Sequence, residues 1–182
     1  MRFAAPVRKD LGIKTIMNLL GPLSNPAGAA FQILGVYSDE MAPIMAQAAG
    51  LLGTKRVLVV HSQDGMDEIS PAAPTNLYQL DEAGNVVKSV FDPASLGIQG
   101  YSISDLAGGS ASENALIAQA LLAGSGPQAV REAVCLNAGA ALWIAGHAAS
   151  LEAGYRKAKE GLLSGAVKTK LAQVSALTQA LA

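Results

Sequence analysis

The chain has 182 residues, enough for one domain of ordinary size, and 51% of them are apolar, so it can bury a substantial core. Charged residues make up 15%, aromatic residues 4%, and the formal net charge is −1, a balance that argues against a nucleic-acid partner. A single cysteine, Cys135, rules out a disulfide framework within the chain and points to a reducing, cytoplasmic setting.

Charged residues in the opening MRFAAPVRKDLG stand where an export signal carries its apolar core. From Arg2 to about Leu20 the apolar spacing is helical after Pro6, and LLGPLSNPAG then stops the helix, which predicts a rigid loop over Gly21 to Gly28. FQILGVYS reads as a strand. MAPIMAQAAGLLG sets Met41, Ile44, Met45, Ala48, Leu51 and Leu52 on one helical stripe, and KRVLVVHS reads as a second, fully buried strand. Strand, helix and strand in this order favour a right-handed crossover and a parallel pair, with loops at the carboxyl ends of the strands.

TNLYQLDEAGNVVKSVFDP follows as a β-hairpin turning at Glu82 to Asn85. Beyond Pro93 the chain is helical. SASENALIAQALLAG starts on a serine cap with Glu113 in its first turn and stops at Gly124, and GPQAVREAVCLNAGAALWIAG starts on a proline. The apolar stretch within that helix is broken at Gly139, Gly146 and His147 before it could span a bilayer, so no membrane partner is expected. Two more helices are expected, around Leu151 to Leu163 and Val167 to Leu177. No repeat or linker divides the chain, and residues 1–182 read as a single α/β domain.

The chemistry concentrates in LVVHSQDGMDEIS, where a buried strand opens into a glycine turn and then sets Asp67 beside Glu68. Adjacent residues in extended backbone point to opposite sides, so the pair shares one ligand only if the turn bends the chain, or else serves two ions. Either arrangement suits Mg²⁺, which takes one or two protein carboxylates and leaves its other positions to water and phosphate oxygens. The same spacing also fits a solvated acidic turn. Arg8 offers a guanidinium that could grip a carboxylate or phosphate, or stand exposed beside Lys9 and Asp10. Gly21 with Pro22 could admit a ligand to the main chain or simply end a helix. His61 and His147 read as structural or surface residues. No Ser/His/Asp grouping, paired-cysteine metal site or P-loop is present. GGSASENA could hold an anion at a helix start or be an ordinary cap.

Three ordered motifs, RKDLGIKTIMNLLGPLSNPAG, VVHSQDGMDEIS and GGSASENA, followed by VCLNAGAALWIAG and SGAVKTKL, resemble the anthranilate phosphoribosyltransferase family over nearly the whole chain. The resemblance implies an α/β domain of the nucleoside phosphorylase/phosphoribosyltransferase type, a mostly parallel sheet carrying a β-hairpin and several C-terminal helices. It implies transfer of a phosphoribosyl group from phosphoribosyl pyrophosphate to the amino nitrogen of anthranilate, in tryptophan and hence aromatic amino-acid biosynthesis. On this resemblance Asp67 and Glu68 hold Mg²⁺ against the pyrophosphate, Arg8 binds the anthranilate carboxylate, and Gly21 and Pro22 border the anthranilate tunnel. The full-length enzyme is implied to be a homodimer.

The family's helical domain, GTGGD phosphate loop and KHGN segment are not in this sequence, so the chain resembles an incomplete, C-terminal catalytic domain. It is expected to keep the magnesium acids, lack the phosphate cradle, leave a sheet edge exposed and be inactive alone. Two other readings are a nucleoside phosphorylase-like enzyme, acting at the same ribose carbon, and a non-catalytic assembly module on the same scaffold.

Overall fold

Val57, Leu58, Val59 and Val60 form an apolar run without polar alternation, which is stable as a strand when both of its faces are covered. The computed structural model, which describes Asp10, Gly12 and residues 17–181, covers both. Helix α1 (Met17–Leu23) leads to β1 (Phe31–Gly35), α2 (Met41–Leu51), β2 (Arg56–Ser62), β3 (Thr75–Leu80) and β4 (Val86–Phe91). Two short 3₁₀ turns precede α3 (Ala111–Leu122), α4 (Gln128–Ile144), α5 (Leu151–Leu163) and α6 (Ala166–Ala180). Among the described residues no helix is long and apolar enough to cross a membrane.

The sheet runs in the order β1-β2-β3-β4. β1 and β2 are parallel, with Ile33 opposite Leu58 and Leu34 opposite Val59, as the strand, helix, strand order requires. The α/β class holds, whereas the expectation of a mostly parallel sheet holds for this pair alone. β3 pairs antiparallel with β2 and with β4, because residues 63–74 form no helix and a parallel return needs a crossover of a dozen or more residues, usually helical. β3 and β4 make the expected hairpin, its turn held by Asp81, which accepts the Asn85 main-chain N–H at 2.8 Å. β1 and β4 are the edge strands among the described residues.

Alternation along β2 divides the core in two. Val57 and Val59, with Leu34, Val36 and Tyr78, meet α2 on one face. Leu58 and Val60, with Leu77 and Phe91, meet Leu136, Ala140 and Ile144 of α4 and Tyr155 of α5 on the other. The α2 stripe differs from the predicted one. Ala42, Met45, Ala46 and Ala49 are buried, while Ile44, Leu51 and Leu52 are 56%, 90% and 66% exposed. Alanines let the helix lie close to the sheet, and the larger side chains are left at its margin.

α4 and α5 pack at backbone distance. A Cβ on Gly139 would strike the Tyr155 main chain, and one on Gly154 would strike the Gly139 carbonyl. Beside this crossing Glu132, 3% exposed, accepts from the Tyr155 hydroxyl and pairs with Lys159 at 3.0 Å, so the buried carboxylate is satisfied. Burial and the nearby Glu132 push the Cys135 thiol above its ordinary range.

Gly154→Ala is therefore expected to lower stability by about 1–3 kcal/mol through overpacking. Gly161→Ala, on the same helix, meets nothing nearer than Val167 at 3.9 Å and is expected to be neutral or to gain up to about 1 kcal/mol. Urea denaturation of both variants measures the contrast, and equal effects would contradict the close crossing.

Candidate functional site

Because β1 and β2 are parallel, their carboxyl ends at Gly35 and Ser62 lie on one edge of the sheet, where the loops that follow them meet. Asp64 organises the loop after β2. Its carboxylate accepts the Met66 N–H at 3.2 Å and the Ser70 hydroxyl at 2.6 Å. The Ser62 N–H donates to the Met66 carbonyl at 2.9 Å, Gly65 turns the chain at φ +94°, and Ser70 donates its N–H to Thr75 Oγ1 at 3.2 Å. Partial burial disfavours the charged form of Asp64, yet hydrogen bonds from the Ser70 and Ser62 hydroxyls and the Met66 amide hold its carboxyl below the usual carboxylate range.

Asp67 and Glu68 lie between this turn and the fully buried Ile69, and both are exposed. Their carboxylates take no part in the hydrogen bonds that shape the loop. Two contacts hold the stretch from outside. A Cβ on Gly35 would fall on the Asp67 carbonyl, so the Asp67 main chain rests directly on the end of β1. From α4, Asn137 Oδ1 accepts the Ile69 N–H at 3.0 Å while its Nδ2 donates to the Ile69 carbonyl at 2.9 Å.

Among the described residues no three His, Cys, Asp or Glu side chains gather into a metal cage. Two hard oxygen donors on an exposed, internally bonded loop match the needs of Mg²⁺, which binds through one or two carboxylates with water and phosphate completing its shell. They would not make a zinc site, which takes three or four protein ligands.

Gly21 and Pro22, predicted to lie in a loop, occupy the last turn of α1, and the loop begins at Ser24. A proline so near the end of a helix forfeits one backbone hydrogen bond without breaking the run. Both residues line an open cleft of about 610 Å³ along the free edge of β1, and that cleft also reaches Gly35, on which Asp67 rests. Neither Asp67 nor Glu68 lines that cleft; Gly35, at the end of β1, is the point at which the cleft and the acidic loop approach each other. Arg8 lies outside the described residues. A larger apolar cavity of about 780 Å³, between α4 and α5, contains none of these side chains.

His61 is structural: its Nδ1 lies 2.8 Å from the Val36 carbonyl and ties the ends of β1 and β2 together. His147 is exposed beyond α4. Sequence reasoning missed Asn137 and Asp39. Asp39, in the β1–α2 loop, accepts from Asn76 at 2.8 Å and from Lys88 at 2.8 Å, which joins that loop to the hairpin. Burial opposes its charge, but the hydrogen bonds from Lys88, Tyr78 and Asn76 win and lower its pKa. An asparagine inside the apolar run VCLNAGA was the available signal for Asn137, since an amide even half-buried needs partners.

The folded-state pKa of Asp64 lies below its unfolded value near 3.8, so its stabilising contribution is complete above that value and is lost as pH falls through the lower, folded one. Asp64→Asn is expected to lower the thermal midpoint at neutral pH and to flatten its fall on acidification. Midpoints recorded from neutral pH down to about pH 3 check this, and parallel curves for wild type and variant would contradict it.

The model of the glycosyl transferase family, a/b domain, matches residues 1–168. The anthranilate phosphoribosyltransferase of Desulfatibacillum aliphaticivorans is 46% identical over 181 residues, which is 98% of this chain and 52% of that protein. The crystal structure of anthranilate phosphoribosyltransferase from Thermus thermophilus aligns with a TM-score of 0.82 at 40% identity, over 91% of this chain and 48% of that one. The Saccharomyces cerevisiae enzyme, in complex with phosphoribosyl pyrophosphate and Mg, aligns with a TM-score of 0.78 at 29% identity, over 89% of this chain and 46% of that one. The chain spans about half the length of the relatives it matches. By family model, sequence and fold, it belongs to the glycosyl transferase family and carries its a/b domain.

Proposed function

We propose that this chain supplies the α/β part of an anthranilate phosphoribosyltransferase, a cytoplasmic enzyme of tryptophan biosynthesis that is homodimeric at full length. The observation that carries the proposal is the acidic loop. The Asp67 and Glu68 carboxylates make no hydrogen bond or ion pair with any described residue, and their backbone is fixed by Gly35, Asp64 and Asn137, with Gly35 also lining the Gly21–Pro22 cleft. Complexes of the yeast relative with phosphoribosyl pyrophosphate and Mg, and with 4-fluoroanthranilate, support the assignment of ligands.

Cleavage at the ribose anomeric carbon leaves positive charge on the sugar and adds negative charge to the departing diphosphate. Bound Mg²⁺ supplies compensating charge at that leaving group. Asp67 and Glu68 would hold the ion, and the hydrogen bonds of Asp64 keep the loop from collapsing onto them. Arg8 would orient anthranilate through its carboxylate, and Gly21 with Pro22 would border the slot that receives the ring. No side-chain nucleophile is needed, because the aromatic amine attacks and positioning lowers the barrier. The chain alone is expected to show no turnover by product fluorescence, since the phosphate-cradling segment of the family is absent from its 182 residues.

Asp67→Asn with Glu68→Gln is expected to weaken Mg²⁺-dependent pyrophosphate binding at least about tenfold. In an enzyme that joins this chain to the remaining half of a relative, the same pair is expected to lower kcat far more than it weakens anthranilate binding. Calorimetric titration and steady-state kinetics measure the two effects. Unchanged Mg²⁺–pyrophosphate affinity would favour an assembly module, and phosphorolysis of a pyrimidine nucleoside without use of anthranilate would favour the phosphorylase reading.

A further inference from the structure

Ile69, which directly follows the acidic pair, is fully buried and has both of its main-chain polar groups bound by one side chain from the middle of α4. Asn137 accepts the Ile69 N–H at 3.0 Å, donates to the Ile69 carbonyl at 2.9 Å, and gives its other amide hydrogen to the Ala133 carbonyl at 2.9 Å. One N–H donor on Oδ1 and two carbonyls on Nδ2 define the orientation of the carboxamide, so it cannot flip without losing all three bonds. The Asp67 carbonyl is seated on Gly35 at the other end of the pair. Asp67 and Glu68 are therefore anchored on both sides through main chain, from two different elements.

We propose that Asn137 is a positioning residue for the cation–diphosphate site, fixing the direction in which Asp67 and Glu68 present their carboxylates. The inference rests on the reading of those acids given above. Asn137 acts through the main chain, its carboxamide committed to Ile69 and Ala133: it sets the backbone at Ile69, and Ile69 sets the reach of Glu68. A residue that merely filled the space between α4 and the loop would contribute to stability and leave cation affinity alone. A residue that orients ligands behaves like the partners behind metal ligands generally, whose loss costs roughly 10–100-fold in affinity.

The test uses the whole chain, with Mn²⁺ as a paramagnetic probe titrated in the presence of inorganic pyrophosphate and bound ion followed by electron paramagnetic resonance. Asn137→Ala is expected to weaken Mn²⁺ binding about tenfold or more at a temperature where circular dichroism shows it folded. Asn137→Ser keeps one neutral hydroxyl able to bond part of the Ile69 main chain, and is expected to fall between alanine and wild type. It decides the question if the alanine variant does not fold. Added to Asp67→Asn with Glu68→Gln, the alanine change is expected to cost nothing further. Wild-type affinity in both folded Asn137 variants would overturn the inference and leave the acids' role standing. Equal affinity in wild type and the acid double variant would overturn both.

Discussion

The missing side chain at Gly35 governs how this site is built. The Asp67 carbonyl occupies the volume a Cβ would take, so the loop after β2 is seated on the last residue of β1 and not merely tethered to its own strand. Packed backbone of this kind has little room to slide, because close-packed interiors resist even a methyl-sized change. The acids then project into solvent from a fixed base, and the entropic cost of ordering them is met on folding and not on ligand binding.

The rest of the architecture serves that seating. Parallel pairing of β1 and β2 brings Gly35 and Ser62 to the same edge, and the two cores on either side of β2 hold that edge in place. α4 contributes more than packing, since it delivers Asn137 to Ile69 and is itself pressed against α5 through Gly139 and Gly154. The His61–Val36 and Asp39–Asn76 bonds close the remaining gaps between loops and sheet. The loop thus presents the Asp67 and Glu68 carboxylates, which bond to no described residue, from a base whose own hydrogen bonds are made by Asp64, Ser70 and Asn137.

Much of this was legible in the residues. The buried run of β2, the hairpin, the serine cap of α3 and the acidic pair at a strand's carboxyl end all follow from local pattern and turn chemistry. What stayed hidden depends on tertiary distance. The exposed stripe of α2 could not be told from the buried one, because alanines on one face and larger apolar residues on the other give a weak contrast. Gly21 and Pro22 look like loop residues, and α1 nevertheless runs through them. Asn137 stands 68 residues from its partner Ile69, and Gly35 faces a loop that strand pairing alone brings near. Two antiparallel strands in a sheet expected to be mostly parallel reflect the lack of a helix between β2 and β3, a feature visible in residues 63–74 once the hairpin is taken to join the sheet.

The account turns on whether Asp67 and Glu68 together hold a divalent ion against a diphosphate. Anomalous diffraction from crystals of the chain soaked in Mn²⁺ and pyrophosphate answers it most directly. The expected result is a peak roughly 2.0–2.4 Å from carboxylate oxygens of both residues, with diphosphate oxygens on its open side. Peaks located elsewhere, or pyrophosphate bound with the acidic loop bare, would contradict it.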